Sequence, residues 1–164
     1  AAMSQTSHQT YLASLHVIGI YSYTMHQILL PVFLLLVATP ALAAPPFEGP
    51  VRARVLKVLD GDTFLAEAEL WPGQHLRIHV RLRGIDAPEK KARCVAEREM
   101  AGAARDALAR HLGDEVKISN IASAKYYGRV LADVVNAQGQ EVSGKLLSEG
   151  LARPYSGGRR IGWC

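Results

Sequence analysis

Between Ala1 and Phe47 the chain has no Lys, Arg, Asp or Glu; all 19 basic and 15 acidic side chains lie between Glu48 and Cys164. The chain therefore divides into an apolar leader and a charged domain. A long hydrophobic run is also missing. The apolar stretch Ile28 to Val37 is short for a bilayer span, and Pro31 and Pro40 argue against one continuous helix. The run leads into Thr39-Pro40-Ala41-Leu42-Ala43-Ala44, which offers a small-x-small cleavage site after Ala43. That is the layout of a secretory signal peptide starting at Met25, except that Met25-His26-Gln27 lacks a Lys or Arg. We therefore expect residues 1–43 to be a leader, residues 44–50 a linker, residues 51–155 the working domain and residues 156–164 a tail. Residues 1–24 read as a start-site artefact. The protein is expected to be exported, periplasmic or secreted, without stable membrane association after cleavage; an uncleaved anchor is the alternative.

Cysteine is scarce. Cys94 and Cys164 are the two present, so an oxidising compartment permits one pairing only. That pairing is expected to pin the tail to the middle of the domain, closing about 70 residues with a stabilisation of roughly 4 kcal/mol; two unpaired thiols are the other outcome. Internal repeats and low-complexity tracts are absent, which leaves a single ordinary domain. The net charge of +4 suits a polyanionic partner without establishing one.

The charged domain reads as strands and helices in turn. Val51 to Leu59 alternates until a slip at Val55-Leu56, which predicts a bulge. Asp60-Gly61 is a strong hairpin signal, and Asp62 to Leu70 reads as the return strand. Leu76, Ile78, Val80 and Leu82 then alternate with Arg77, His79, Arg81 and Arg83, placing an apolar set on one face and a basic set on the other. From Lys90 to Leu112 the period becomes helical through Val95, Met100, Ala103, Ala104, Ala107, Leu108 and Leu112, with Gly113 as the stop. Two more strands, Glu115 to Ile121 and Tyr127 to Asn136, precede a short helix from Val142 to Glu149. Five short antiparallel strands with a helix after the third predict a mainly β, α+β domain: a Greek-key barrel of the oligonucleotide-binding type.

Three segments carry candidate chemistry. In Asp60-Gly61-Asp62-Thr63 the Asp-Gly pair suits a turn, while Asp62 is less clearly structural. In Arg81-Leu82-Arg83-Gly84-Ile85-Asp86-Ala87-Pro88-Glu89 an Arg on the polar face precedes two carboxylates around a Pro. Pro88 holds Ala87 extended, which frees the Ala87 carbonyl for a ligand. Carboxylates plus a free carbonyl suit a hard cation; a plain helix start with acidic residues at its positive end is the competing interpretation. In Tyr126-Tyr127-Gly128-Arg129 the Gly permits close approach and the Arg can fork onto phosphate.

Taken together, these segments resemble the thermonuclease (staphylococcal nuclease-like) family across nearly all of Val51 to Tyr155. The resemblance implies that Asp62 and Asp86 bind calcium, with Ala87 at the position of a carbonyl ligand, where the family's best-known member has Thr. It makes Glu89 the general base, Arg81 and Arg129 the phosphate-binding arginines, and Asp60 a carboxylate near the metal. Tyr127 keeps an aromatic beside the phosphate site, Tyr126 replaces a basic contact, and Tyr155 is a further nucleic-acid-binding candidate. A nine-residue tail stands where the best-known member has a long helix, and a Cys94–Cys164 link is expected to tether it.

The implied function is a calcium-dependent endonuclease acting on DNA and RNA with little sequence preference, working as a monomer. Oxygen ligands alone admit Mg²⁺ or Mn²⁺ as well. The alternatives are an inactive module gripping single-stranded nucleic acid through Arg77, Arg81, Arg83 and aromatics, and a purely structural barrel. Trp71 and Trp163 are available to stack on bases or to pack over turns. His75, His79 and His111 are given no role, and Arg159 and Arg160 are expected in a solvated tail.

Overall fold

The computed structural model describes residues 45–125 and 128–164. The signal-peptide elements, and Tyr126 and Tyr127, lie outside the described residues. Contacts separate residues 1–44 from a unit spanning Pro45–Cys164, and the latter is the domain considered below.

Strands β1 (Val51–Asp60), β2 (Thr63–Trp71) and β3 (Gln74–Leu82) form a meander. A two-residue strand β4 (Ile85–Asp86) leads through a loop to helix α1 (Val95–Leu112). Strands β5 (Glu115–Ser123) and β6 (Arg129–Asn136), helix α2 (Val142–Ser148) and the two-residue β7 (Arg153–Pro154) follow. The barrel closes in the order β1-β2-β3-β6-β5, with β5 returning to β1. This is the expected five-stranded barrel, with one correction: β3 and β6 pair in parallel. Alternating directions around a closed ring require an even number of strands, so a five-stranded ring must contain a parallel pair.

The predicted bulge is present. Val55 faces Ala66 and Lys57 faces Leu65, leaving Leu56 as the extra residue. The period-two pattern of β3 buries Val80 and Leu82, but at the open end of the strand Leu76 remains 44% exposed. Phe64, Val80, Leu82, Ile118 and Val134 fill the barrel, and Leu108, Leu112 and Leu146 from the two helices continue the same core.

The first helix begins five residues later than its periodicity suggests. The Ala92 N–H closes a turn onto Glu89 O, and the Arg98 guanidinium takes the Ala92 and Arg93 carbonyls at 2.9 and 3.1 Å. Those carbonyls are diverted from a helical ladder. The buried stripe is Glu97, Ala101, Ala104, Ala107, Leu108 and Leu112. Val95, 59% exposed, and Ala103 lie off it.

The tip of the first hairpin is wedged beneath this stripe. A Cβ on Gly61 would lie 2.7 Å from the Ala104 Cβ and 2.9 Å from the Ala87 Cβ. Neither neighbour can rotate away, so the position excludes any side chain on steric grounds. Gly61→Ala is therefore expected to destabilise the fold by about 1–3 kcal/mol, the usual cost of overpacking. Urea unfolding of the variant against the parent measures this, and an unchanged midpoint would contradict the steric account.

Candidate active site

The hairpin tip, the loop after β4 and the β3 outer face converge beside α1. Asp62, at the tip, is buried and receives the Thr63 hydroxyl at 2.7 Å and the Ala87 N–H at 3.4 Å. Its backbone carbonyl accepts from the Leu82 N–H at 2.9 Å, tying the tip to β3. Asp86 is equally buried, at 5% exposure. Between the two carboxylates sits Arg81, with Nη1 2.6 Å from Asp62 Oδ2 and Nη2 3.6 Å from Asp86 Oδ1. Two buried carboxylates this close repel one another, and the guanidinium offsets that repulsion.

Glu89 follows on the loop, half exposed. Its N–H donates to Oε1 of Glu97 at 3.2 Å. Glu97 is a buried carboxylate on the inner stripe of α1 that the motifs do not reveal. Its sequence signal is its place in the 97-101-104-108-112 stripe, where an apolar residue is expected. Asp60 stands apart: it is partly exposed and lies 3.8 Å from Lys90 Nζ. Arg129 opens β6 opposite His79, so the parallel register puts it on the outer face of the barrel with Arg81, about 7 Å further along the strand direction.

Most of the basic stripe of β3 is neutralised within the fold. Arg77 pairs with Glu67 at 3.3 Å, Arg81 with Asp62, and Arg83 with Asp133 at 3.2 Å. Glu67 receives Arg54 as well as Arg77, and these hydrogen bonds hold its carboxyl below the usual carboxylate range.

The tail departs most from expectation. β7 pairs with β4, setting Arg153 opposite Asp86, and the Tyr155 N–H bonds to Gly84 O at 2.8 Å. The chain then reverses through Gly157 and Gly158, both at positive φ, with the Tyr155 hydroxyl on Gly158 O. Arg160, expected in a solvated tail, is partly exposed but paired with the site. Its Nε lies 2.6 Å from Asp86 Oδ1, and its Nη2 donates to Asp86 Oδ2 at 3.0 Å and to Ala87 O at 2.9 Å. Its Nη1 donates to Glu89 Oε1 at 2.6 Å. Burial alone would lower the Arg160 pKa, but the hydrogen bond and charge of Asp86, joined by Glu89, raise it overall.

Trp163 is buried and donates its indole N–H to Asp86 Oδ2 at 3.3 Å. The Arg153 guanidinium stacks on its ring at 3.8 Å and bonds to Gly162 O at 3.1 Å. Trp163 thus packs on the site and presents no free face to a base, while Trp71 is 64% exposed. Cys94 and Cys164 form a disulfide with a Cα separation of 6.1 Å, anchoring the tail beside the start of α1. No sequence signal predicts the placement of Arg160, Trp163 and Arg153, because the contacts that seat them are long-range.

The arrangement brings together Asp62, Arg81, Asp86, Ala87 and Glu89, and leaves Asp60 at the margin. A cavity of about 470 Å³ elsewhere on the barrel, lined by residues including Arg54, Glu67, Lys117 and Asn136, contains none of them. No curated protein matches the chain. A family model described as a staphylococcal nuclease homologue matches residues 79–160, half of the chain, spanning Arg81 to Glu89 and Arg129. Together with the closed five-stranded barrel, that match shows that the chain belongs to the family of staphylococcal nuclease homologues.

Proposed function

We infer that the protein is a metal-dependent endonuclease that hydrolyses phosphodiester bonds of DNA and RNA. The observation that carries this reading is the convergence of two buried carboxylates, Asp62 and Asp86, on Arg81, with the Ala87 carbonyl and the half-exposed Glu89 carboxylate gathered beside Asp86 on Arg160. A structural barrel has no need of such a set, because burying like charges side by side costs stability. The donor set fits a hard cation. Every available donor atom is oxygen, on two carboxylates and a main-chain carbonyl. Asp62, Asp86 and the Ala87 carbonyl would hold the ion, calcium in our reading. When bound, it would supply Lewis-acid stabilisation of charge on the phosphoryl oxygens.

The chain's own residues account for the remaining steps. Arg81 and Arg129 bind the phosphate and strengthen their hold as negative charge gathers on its oxygens. The Glu89 carboxylate takes a proton from water as the water oxygen bonds to phosphorus. The P–O bond on the opposite side breaks, and the departing alkoxide takes its proton from solvent. The Glu97 carboxylate, through the Glu89 N–H, fixes where the base stands. Tyr126, Tyr127 and Tyr155 are proposed to contact the nucleic acid, and Asp60 to tune the field near the metal. Export of the protein, to periplasm or medium, is supported by the leader pattern and by a disulfide that persists in oxidising compartments. The non-cutting binding module is disfavoured by the internal pairing of Arg77 and Arg83.

Degradation of single-stranded DNA by the purified protein, with calcium, with magnesium and with chelator, tests the reading. Calcium-dependent cleavage is expected, falling roughly 10²–10⁴-fold in Glu89→Gln, as for loss of a general base. Salt-dependent binding without cleavage under any metal would instead establish the binding module.

A second expectation concerns the carboxylate pair itself. Arg81→Met removes the cation between Asp62 and Asp86, leaving the buried Asp62 without its charged partner, and is expected to cost about 3 kcal/mol in chelator. Calcium should recover more of the melting temperature in this variant than in the parent. Equal calcium effects on the two proteins would count against cation binding by these carboxylates.

A further inference from the structure

The tail occupies the same oxygen atoms that the proposed cation requires. Arg160 reaches both oxygens of Asp86, the Ala87 carbonyl and Glu89, at 2.6–3.0 Å. A guanidinium and a hard cation seek the same lone pairs on the same donors. With Arg160 seated, Asp86 and the Ala87 carbonyl are taken, and Glu89 is held in an ion pair.

The seat is built rather than incidental. The β4–β7 pairing and the Tyr155 N–H to Gly84 O bond fix where the tail leaves the barrel. Gly157 and Gly158, at φ 105° and 88°, turn it back over the site. Trp163 is buried on Asp86 under the Arg153 guanidinium. The Cys94–Cys164 disulfide closes the far end, so Arg160 is tethered between two fixed points and its local concentration at the site is high.

We propose that residues 156–164 are an autoinhibitory strap, in which Arg160 stands in for the catalytic cation and the Cys94–Cys164 disulfide holds it there. The proposal rests on the reading of Asp86, Ala87 and Glu89 as the cation and base set. The cation and Arg160 bind in exclusion of one another, so the apparent cation affinity is reduced by the fraction of molecules whose strap is seated. By linkage, cation binding drives the strap off the site to the same degree. Arg160 leaves the carboxylates, while the disulfide keeps the strap attached.

Calorimetric titration of the protein with CaCl₂, without nucleic acid, tests this. Three forms are compared: the oxidised parent, Arg160→Ala, and the disulfide-free Cys94→Ser/Cys164→Ser. Arg160→Ala retains the disulfide and loses only the competing cation. It is expected to bind calcium about tenfold more tightly than the parent, within the usual span of coupling between two ligands. The disulfide-free protein should fall between the two. Indole fluorescence in a Trp71→Phe background, where Trp163 is the remaining indole, should shift as calcium releases the strap. Equal calcium affinity in the parent and Arg160→Ala overturns the strap while leaving the cation site intact. Unchanged calcium affinity with a raised KM for DNA in Arg160→Ala also overturns it, making Arg160 a substrate contact. Calcium binding by none of the three forms removes the cation site, and the strap with it.

Discussion

The Arg81 guanidinium between Asp62 and Asp86 is the contact on which the site depends. These carboxylates come from the first hairpin tip and from β4, and both are nearly inaccessible to water. Without a cation between them their repulsion would push the tip away from β4. With it, the tip is drawn against β3 through the Asp62 carbonyl and against α1 through Gly61. A strand-borne side chain thus holds two loops in register, and the Ala87 and Glu89 positions follow from where those loops lie.

Around that contact the fold supplies rigid supports. The parallel β3–β6 pairing sets Arg129 on the outer face that carries Arg81, and α1 brings Glu97 beneath the Glu89 backbone. Buried carboxylates are costly unless they are paired or hydrogen-bonded, and each one here has such a partner. The concentration of charge in so small a volume is a destabilising arrangement that the apolar barrel core offsets. A cluster of this kind is expected where a fold supports chemistry rather than stability.

The strap adds a second source of positive charge to the same carboxylates. Arg81 approaches from the outer face of β3 and Arg160 from the tail, so Asp86 lies between two guanidinium groups. The two are not equivalent. Arg81 belongs to a strand of the closed barrel, whereas Arg160 belongs to a glycine-containing segment held by one indole, a two-residue strand and a disulfide. A segment that lies outside the barrel ladder can leave while the barrel stays folded.

Local chemistry in the sequence was enough to specify much of this protein. The period of two in Ile78, Val80 and Leu82, the slip at Val55-Leu56 and the helical spacing through Leu112 act between near neighbours, and the barrel strands formed where those patterns lie. Turn and strand chemistry marked Asp62, Arg81, Asp86, Ala87 and Glu89 as candidates with structural readings still open, and the family resemblance, not that chemistry, implied their roles. The parallel pair follows from ring closure, a property of the whole barrel. Glu97 is a polar residue on a buried helical stripe whose meaning depends on Glu89, across a loop. Arg160 and Trp163 reach Asp86 from 74 and 77 residues away. Periodicity carries no information about such contacts, so the tail's place over the site was settled by chain reversal, burial and cross-linking in three dimensions.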